Sequence, residues 1–463
     1  MTCDGFAFIS KDRSIPFHFE NGILKLFLEG SHFTFKKDTR TVIGQKRGAM
    51  LGGRILFHLV LPLENYWVQK TTDEAGTTME TPISIGTVQH GVDFYLDGYV
   101  EYTRFTKMKF SFQELNYFIP SNVMCIYYPE ENRVEFFRSP KIITSFKFKF
   151  MGRNITFSLK LINSYEFGIG SLAKTESQLT LEFDETDDLE FFRSLYYLIQ
   201  HFFSFICNRQ NIAINSAILV GDFQRIGYKD SEGKEIFVHK EVPVSSELFV
   251  LNKYKEDPEE SKVIAKTIRF IDLEPAFESL LSLFLDDKVS VHSIHSSCAA
   301  RRLLDLKQCL HITAAFEYYQ RTFLPEISSE ETIQVYDEIR ALIESYITEQ
   351  KGEKKKKAKR LRDSLRPSVS LQDKICNVYN GYNNWSGLKV ILSDYFGDDV
   401  TQLAIVANKW RNELAHEKRE HEPDHDVISS IRLVEHLNYC IVLKLAGYND
   451  DEIKVIVDKV LTR

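Results

Sequence analysis

Residues 403–417 read Leu-Ala-Ile-Val-Ala-Asn-Lys-Trp-Arg-Asn-Glu-Leu-Ala-His-Glu, with the spacing of an amphipathic helix. At about 100° of rotation per residue, one side of this helix is apolar and should face a helical core. Its members are Leu403, Val406, Ala407, Trp410 and Leu414. Asn412 and His416, four residues apart, share the opposite face. The stretch therefore predicts a helix of an all-helical domain, with a polar face turned away from the core.

The polar face of this helix combines Arg411, Asn412 and His416. A histidine can exchange protons near neutral pH, and an arginine can stabilise the charge of a phosphate transition state. Because RNA supplies its own nucleophile, the 2′-hydroxyl, neither a metal nor another cofactor is required. The Asn412 amide can orient the His416 ring. These three residues are the candidate catalytic residues of a ribonuclease, although the spacing alone is also common on solvated helix surfaces.

One histidine is a limited catalyst for this reaction, because attack and departure each require a proton transfer. Two copies of the helix facing each other would supply two histidines and two arginines in one cleft. The hypothesis therefore predicts a homodimer or a higher homo-oligomer.

The composition is that of a globular protein of two or three domains, with 463 residues, 43% hydrophobic and 27% charged. The net charge of −7 makes a broad nucleic-acid surface unexpected, so any RNA contact must be local. Seven scattered cysteines are typical of reduced thiols. The sequence has neither a signal-peptide pattern nor an apolar segment long enough for a bilayer. We expect a cytoplasmic protein without a membrane partner.

The first part of the chain has the pattern of antiparallel strands. Residues 6–171 alternate apolar and polar side chains and are rich in aromatic and β-branched residues, as in 22–28, 92–100 and 144–150. This pattern predicts a β-sandwich-like region. The glycines of 44–53 lack the spacing of a phosphate-binding loop and predict a hairpin loop.

The middle of the chain mixes both periodicities, and the last third is helical. A helix is predicted at 189–208, followed by strands at 212–220, 235–239 and 247–251. Helices are then predicted at 274–284, 303–323, 333–347, 427–445 and 450–461. The fold class is multidomain α+β, ending in an all-α bundle. We expect a β-rich region at 1–172, an α+β continuation at 173–290 and a helical domain at 298–463.

A basic run at 351–362 has eight Lys or Arg residues in twelve. Such a run is usually a solvated and mobile surface segment. It can also attract the phosphate backbone of RNA. Candidate RNA contacts are Lys355, Lys356, Lys409, Lys418 and Arg419.

The motif Arg411-Asn412-x-x-x-His416 is similar to the R-x(4-6)-H motif of HEPN ribonuclease domains. Residues 306–321 resemble the first helix of ApeA-type HEPN domains, and 431–461 resemble their closing helices. Residues 110–118 and 189–208 resemble the ApeA N-terminal domain. The likeness covers nearly the whole chain, but only the motif is chemically specific.

The resemblance implies an anti-phage protein that acts by abortive infection. Its N-terminal region would sense a phage-derived trigger, and its HEPN domain would cleave cellular RNA, with tRNA as one candidate. It also implies a supporting role for Glu317, which could pair with Arg411 across the bundle. The residues at 417–426 are more charged than the short polar loop expected there, which leaves the role of this loop open.

Three other functions remain open at this stage. A metal-dependent nuclease is one, although Pro423 interrupts the helix on which its ligands would lie. Those ligands would be His416, His421, Asp424, His425 and Asp426. A non-enzymatic sensor or scaffold that binds through the β-rich region is the second. The third is the toxin of a toxin–antitoxin pair.

Overall fold

The structure of this chain is a computed structural model. It describes residues 2–10, 13–20, 23–28, 41–47, 54–60, 69–73, 76–82, 85–90, 104–120, 125–136, 140–164, 174–212, 214, 216–229, 235–250, 261–325, 330–364, 369–415 and 423–461. The chain divides into two compact units. The first comprises residues 1–203 and 211–270, and the second comprises residues 204–210 and 271–463.

The first unit is built mainly from antiparallel strands, which confirms the prediction from the alternating pattern. The strands are β1 Thr2–Ser10, β2 Arg13–Glu20, β3 Ile23–Leu28, β4 Thr41–Arg47, β5 Arg54–Val60, β6 Gln69–Asp73, β7 Gly76–Pro82, β8 Ile85–His90, β9 Phe105–Ser111, β10 Cys125–Tyr128, β11 Arg133–Phe136, β12 Lys141–Phe150, β13 Arg153–Ser164, β14 Lys174–Thr186, β15 Ser216–Lys229 and β16 Glu235–Val250. Helices α1 Gln113–Phe118, α2 Leu189–Cys207 and α3 Ser261–Ile264 lie between or after them.

Fourteen of the described strands form one hydrogen-bonded sheet, and β10 and β11 form a separate two-stranded sheet. The order is β12-β13-β14-β9-β15-β16-β8-β5-β4-β1-β2-β3-β7-β6. Strands β4 and β5 pair directly, as the predicted hairpin requires. The predicted strand at 92–100 lies outside the described residues.

Strands β15 and β16 are longer than the short strands predicted for this segment, and they make the sheet continuous. Register shifts between Val220 and Phe223 carry β15 past the irregular Gly-Asp sequence, and Pro243 of β16 pairs with Phe223. On their outer edges β15 pairs with β9 and β16 pairs with β8. Strands β15 and β16 therefore join the part of the sheet that ends at β9 to the part that begins at β8.

The core of the first unit forms where the buried face of the sheet meets α2. Phe105 of β9 lies 5.8 Å from Phe192, and Phe183 of β14 lies 5.1 Å from Phe191, measured between ring centroids. The start of α2 is stabilised by Asp188, whose carboxylate accepts a hydrogen bond from the backbone N–H of Phe191 at 3.1 Å. The helix predicted at 189–208 is confirmed.

The second unit is helical, as predicted for the last third of the chain. Its helices are α4 Phe270–Leu273, α5 Phe277–Leu285, α6 Cys298–Arg302, α7 Leu306–Phe323, α8 Glu330–Glu349, α9 Gly352–Ser364, α10 Leu371–Asn380, α11 Lys389–Phe396, α12 Thr401–Ala415, α13 His425–Ala446 and α14 Asp450–Val460. No helix among the described residues is both long enough and apolar enough to cross a bilayer. The three-domain division made from the sequence stays a prediction.

Helix α13 is the centre of the second unit and packs against α5, α7, α12 and α14. Its first turn is capped by Asp424, which accepts a hydrogen bond from the N–H of Val427 at 2.9 Å. Gly447 ends the helix in the left-handed conformation, with φ of 103°. Asn449 and Glu452 then form a capping box that starts α14, as the sequence predicts.

The basic run forms helix α9 beside α8. The Arg362 guanidinium donates to both oxygens of Glu344, at 3.2 and 3.0 Å, and supports a helix whose like charges repel one another. Two further helices, α10 and α11, are missing from the sequence prediction. The turn between them needs Gly387, where a Cβ would meet the backbone nitrogen of Gly381 at 2.6 Å.

A buried charge cluster lies at the middle of α13. The Glu435 carboxylate is 3.3 Å from the Arg301 guanidinium and 3.5 Å from the His295 ring, and it accepts a hydrogen bond from Asn208 at 3.1 Å. Burial opposes ionisation, but these partners outweigh it and hold the pKa of Glu435 below its ordinary value. A cavity of about 20 Å³ beside Glu435 has room for one water molecule. The cluster therefore acts as a buried structural ion pair.

The neighbouring His436 should make the stability of the helical unit depend on pH. Burial lowers the pKa of His436 from 6.5 to about 4, against the opposing attraction of Glu435. The unfolded chain therefore takes up the proton first, and we expect the free energy of unfolding to fall by roughly 3 kcal/mol as the pH falls from 6.5 to 4. Urea unfolding at several pH values measures this loss.

The variant His436→Gln should lose this part of the pH dependence. His425→Gln is the matched control, because the His425 side chain is 94% exposed. An unchanged pH dependence in His436→Gln would contradict the assignment.

Candidate active site

Helix α7 carries Glu317 at the edge of its buried face. The helix starts at Asp305, whose carboxylate accepts a hydrogen bond from the N–H of Gln308 at 2.6 Å. It then buries side chains at steps of three and four residues, namely Cys309, Ile312, Thr313, Phe316, Tyr319 and Gln320. Glu317 follows Phe316 and is only half-buried. A carboxylate in this position can reach a neighbouring helix and still contact solvent.

Helix α12 presents Arg411 toward α7. Its buried side chains are Ala404, Ala407 and Trp410, whereas Leu403, Val406 and Leu414 are half-buried. The predicted stripe is thus confirmed for Ala407 and Trp410, and Ala404 joins it. The indole of Trp410 contacts the thiol of Cys309, whose pKa burial raises to about 12. Because Trp410 is anchored on α7, the rotation of α12 is set and the next residue, Arg411, lies beside α7.

Helix α7 is also held by α13. The Asn438 amide donates to the backbone carbonyl of Ile312 at 2.9 Å. Neither this contact nor that between Trp410 and Cys309 had a signal in the sequence, because each joins residues that are far apart in the chain. Together they hold α7 between α12 and α13.

Glu317 and Arg411 form an ion pair between the two helices. The Nη2 atom of Arg411 donates to Oε2 of Glu317 at 2.9 Å, and Nη1 donates to Oδ1 of Asn412 at 3.3 Å. The two charged side chains are 34% and 28% exposed, respectively. The contact that the resemblance suggested between Glu317 and Arg411 is therefore present. Asn412, expected to orient His416, contacts Arg411.

This arrangement holds a guanidinium in a defined orientation at a surface that a ligand can reach. The two contacts engage one N–H on each terminal nitrogen, whereas a guanidinium carries five N–H donors in a planar fork. The remaining donors suit an oxyanion such as a phosphate. The site can therefore bind and stabilise negative charge while Glu317 and Asn412 hold the arginine in place.

The other predicted site residues divide into two groups. His416, Lys418 and Arg419 lie outside the described residues. Lys409 is exposed on α12, next to Trp410. On α9, Lys356 is exposed and Lys355 is half-buried. The structure therefore brings together Glu317, Arg411 and Asn412, and it leaves the roles of the lysines as predictions.

The described residues contain no group of three or more His, Cys, Asp or Glu side chains placed to hold a metal ion. Of the ligands considered for a metal-dependent nuclease, Asp424 caps α13. His425 and Asp426 are 94% and 85% exposed. His421 lies outside the described residues.

A comparison with protein families relates the helical unit to known domains. Residues 310–452 match the family model of the Apea-like HEPN domain. The match confirms the suspected HEPN domain, and it includes Glu317 and the whole Arg411–His416 motif; it does not extend to the ApeA-type N-terminal domain. HEPN domains are generally ribonuclease domains, which supports a nuclease at the family level. No curated protein and no solved structure matches the chain.

The contribution of the ion pair between Glu317 and Arg411 to stability can be measured by a double-mutant cycle. We expect Glu317→Gln and Arg411→Gln to be coupled by no more than about 1 kcal/mol, because the pair is partly exposed. Urea unfolding of the wild type, both single variants and the double variant gives this coupling. The more exposed pair of Lys389 and Asp398 is the control and should show weaker coupling. Strictly additive effects of Glu317→Gln and Arg411→Gln would show that the pair does not contribute to the free energy of unfolding.

Proposed function

We propose that this chain is a metal-independent endoribonuclease of the HEPN type that acts in anti-phage defence. The observation that carries the proposal is the cluster of Glu317, Arg411 and Asn412 inside the segment that matches the HEPN family. An oriented guanidinium in a motif that also contains a histidine fits cleavage of a phosphodiester. The substrate is cellular RNA, with tRNA as a candidate.

The reaction uses the nucleophile of the substrate itself. The 2′-oxygen of a ribose attacks the adjacent phosphorus, the bond from phosphorus to the 5′-oxygen breaks, and a 2′,3′-cyclic phosphate and a 5′-hydroxyl end are formed. One proton leaves the 2′-hydroxyl, and one is added to the departing 5′-oxygen. Negative charge accumulates on the non-bridging oxygens in the transition state.

Arg411 supplies the fixed positive charge for those oxygens. Its guanidinium can offer two parallel donors to a phosphate. Glu317 keeps the guanidinium directed along α7, so less reorganisation is needed when the substrate binds. Glu317 is thus a positioning residue, whereas Arg411 touches the reacting group.

His416 is the proton-transfer group, because an imidazole titrates near neutral pH. A second copy of the motif supplies the second histidine, so the active enzyme is a homodimer or a higher homo-oligomer. Asn412 supports the site by accepting a hydrogen bond from Arg411 at 3.3 Å.

The approach of RNA to the site is electrostatic. Lys409 lies on α12 near Arg411 in sequence, and Lys355 and Lys356 lie on the basic helix α9. Phosphate contacts of this kind give binding that weakens with salt and is largely independent of sequence. The β-rich first unit senses a phage-derived trigger, which raises the nuclease above a basal activity.

The catalytic residues are tested on the purified full-length protein with RNA in the presence of EDTA. Wild type should yield cyclic-phosphate ends. His416→Ala should lower the rate by about 10²–10⁴-fold, and Arg411→Ala by about 10²–10³-fold. Arg411→Lys keeps the charge but loses the planar fork, so it should recover only part of the activity.

The matched control is Arg302→Ala, an exposed arginine of α6 outside the proposed site, which should retain wild-type activity. Activity that EDTA abolishes and a divalent metal restores would favour the metal-dependent alternative. Wild type and His416→Ala being equally inert on total RNA, and equally harmless when overexpressed, would favour a non-enzymatic sensor.

The positioning role of Glu317 has a separate readout. Glu317→Gln should lower kcat with little change in KM for RNA, because Arg411 remains charged but is less well oriented. Glu317→Asp, which keeps the carboxylate, should recover part of the loss. An equal loss in Glu317→Asp and Glu317→Gln, accompanied by a lower unfolding midpoint in both, would indicate a structural role only.

A further inference from the structure

Helix α8 exposes an apolar stripe along most of its length. The side chains of Val335, Ile339, Leu342 and Tyr346 are 47%, 38%, 71% and 47% exposed. Their spacing of four, three and four residues places them on one side of the helix. A continuous stripe of large apolar side chains on a soluble protein is typical of an interface.

The apolar face of α8 is wider than the part that the neighbouring helix α9 covers. At about 100° per residue, its apolar positions from 335 to 347 fall within an arc of about 140°. They are Val335, Tyr336, Ile339, Leu342, Ile343, Tyr346 and Ile347. Ile347, at one edge of the arc, is 4% exposed, whereas Leu342, at the other edge, is the most exposed. An arc of this width is that of a helix with two neighbours, as in a four-helix bundle.

The two helices of this hairpin have opposite charge. Helix α8 contains six acidic residues and one basic residue, for a net charge of −5. Helix α9 contains seven basic and two acidic residues, for a net charge of +5. Within one copy they already attract each other, as the pair of Glu344 and Arg362 shows. A second neighbour of α8 should therefore also be basic.

We propose that the hairpin of α8 and α9 docks on the same hairpin of a second copy of this chain, to form a four-helix bundle. Each acidic α8 then lies between its own α9 and the basic α9 of the other copy, so charges alternate around the bundle. The apolar arcs of both α8 helices point to the centre. A two-fold axis along the bundle relates the copies, and the interface is isologous.

A second copy fits this surface better than a polyanion does. The acidic side chains of α8 repel phosphate groups next to the stripe, whereas the hairpin itself carries the complementary basic helix. The length of the surface is also sufficient, because a 20-residue helix is about 30 Å long. Two such hairpins packed side by side approach the roughly 800 Å² per partner of a standard interface.

The first test compares two substitutions of exposed apolar residues in the full-length protein. Leu342→Glu should raise the dissociation constant of self-association at least about tenfold in sedimentation velocity, because a charge enters the bundle core. Val390→Glu on α11 is the control, since Val390 is 74% exposed and lies away from α8 in the chain. The association of the wild type should weaken with added salt, because opposite charges hold the helices together. Equal association of Leu342→Glu and wild type overturns the proposal.

The second test detects the contact itself and needs no variant. Protein labelled with ¹⁵N is mixed with unlabelled protein, and carboxylates are coupled to amines with a zero-length reagent. Mass spectrometry should find mixed-isotope pairs between peptides of α8 and α9, as expected if the helices of different copies touch. If such pairs form only within one copy, the proposal fails. This outcome does not depend on whether the HEPN domain cleaves RNA.

Discussion

The anchoring of Trp410 on α7 is the constraint on which the arrangement of the candidate site depends. Helix α12 has a narrow buried face made of Ala404, Ala407 and Trp410, and the two alanines allow it to approach its neighbours closely. The large indole then determines the rotation of the helix, because it contacts Cys309 on α7. Once that rotation is set, Arg411 must lie on the side where Glu317 is found.

The pair of Glu317 and Arg411 is only partly buried. This suits a site in which the arginine side chain is held in place and can still contact a ligand. A fully buried pair would have lost its water and would be costly to separate. A fully exposed pair would be screened and poorly oriented. The cluster of Glu435, Arg301 and His295 shows the contrasting case in the same unit, since it lies at the middle of α13 and its Glu435 side chain is only 7% exposed. Burial thus separates the structural charges from those available for chemistry.

The proposed RNA cleavage and the proposed docking of the hairpin of α8 and α9 both involve a second copy of this chain. One copy supplies a single motif histidine, so the proposed reaction needs a second chain. The proposed docking of α8 also involves a second chain, because α9 leaves part of the apolar arc of α8 exposed. The two requirements arise from different helices and different physical causes, which are proton transfer in one case and the hydrophobic effect in the other. A protein with two such surfaces could form an assembly larger than a dimer.

Much of this molecule could be predicted from its sequence where the information is local. Alternation predicted the antiparallel strands, the spacing of three and four residues predicted α7, α8, α13 and α14, and the motif at 411–416 indicated the HEPN resemblance that the family comparison confirms. The helix of the basic run could not be predicted, because its like charges oppose a helix until Glu344 of α8 compensates Arg362. Helices α10 and α11 were missed because a tight glycine turn separates two short apolar segments.

The spacing of residue types along α12 and the cap that starts α14 are therefore determined by the sequence alone, since each depends on neighbours within about one or two turns. Tertiary structure decided the geometry of the contact between Glu317 and Arg411, which helix lies beside α8, and which charges are buried. Those outcomes depend on contacts between residues as distant as Glu317 and Arg411, and only the packing of the whole helical unit brings such residues together.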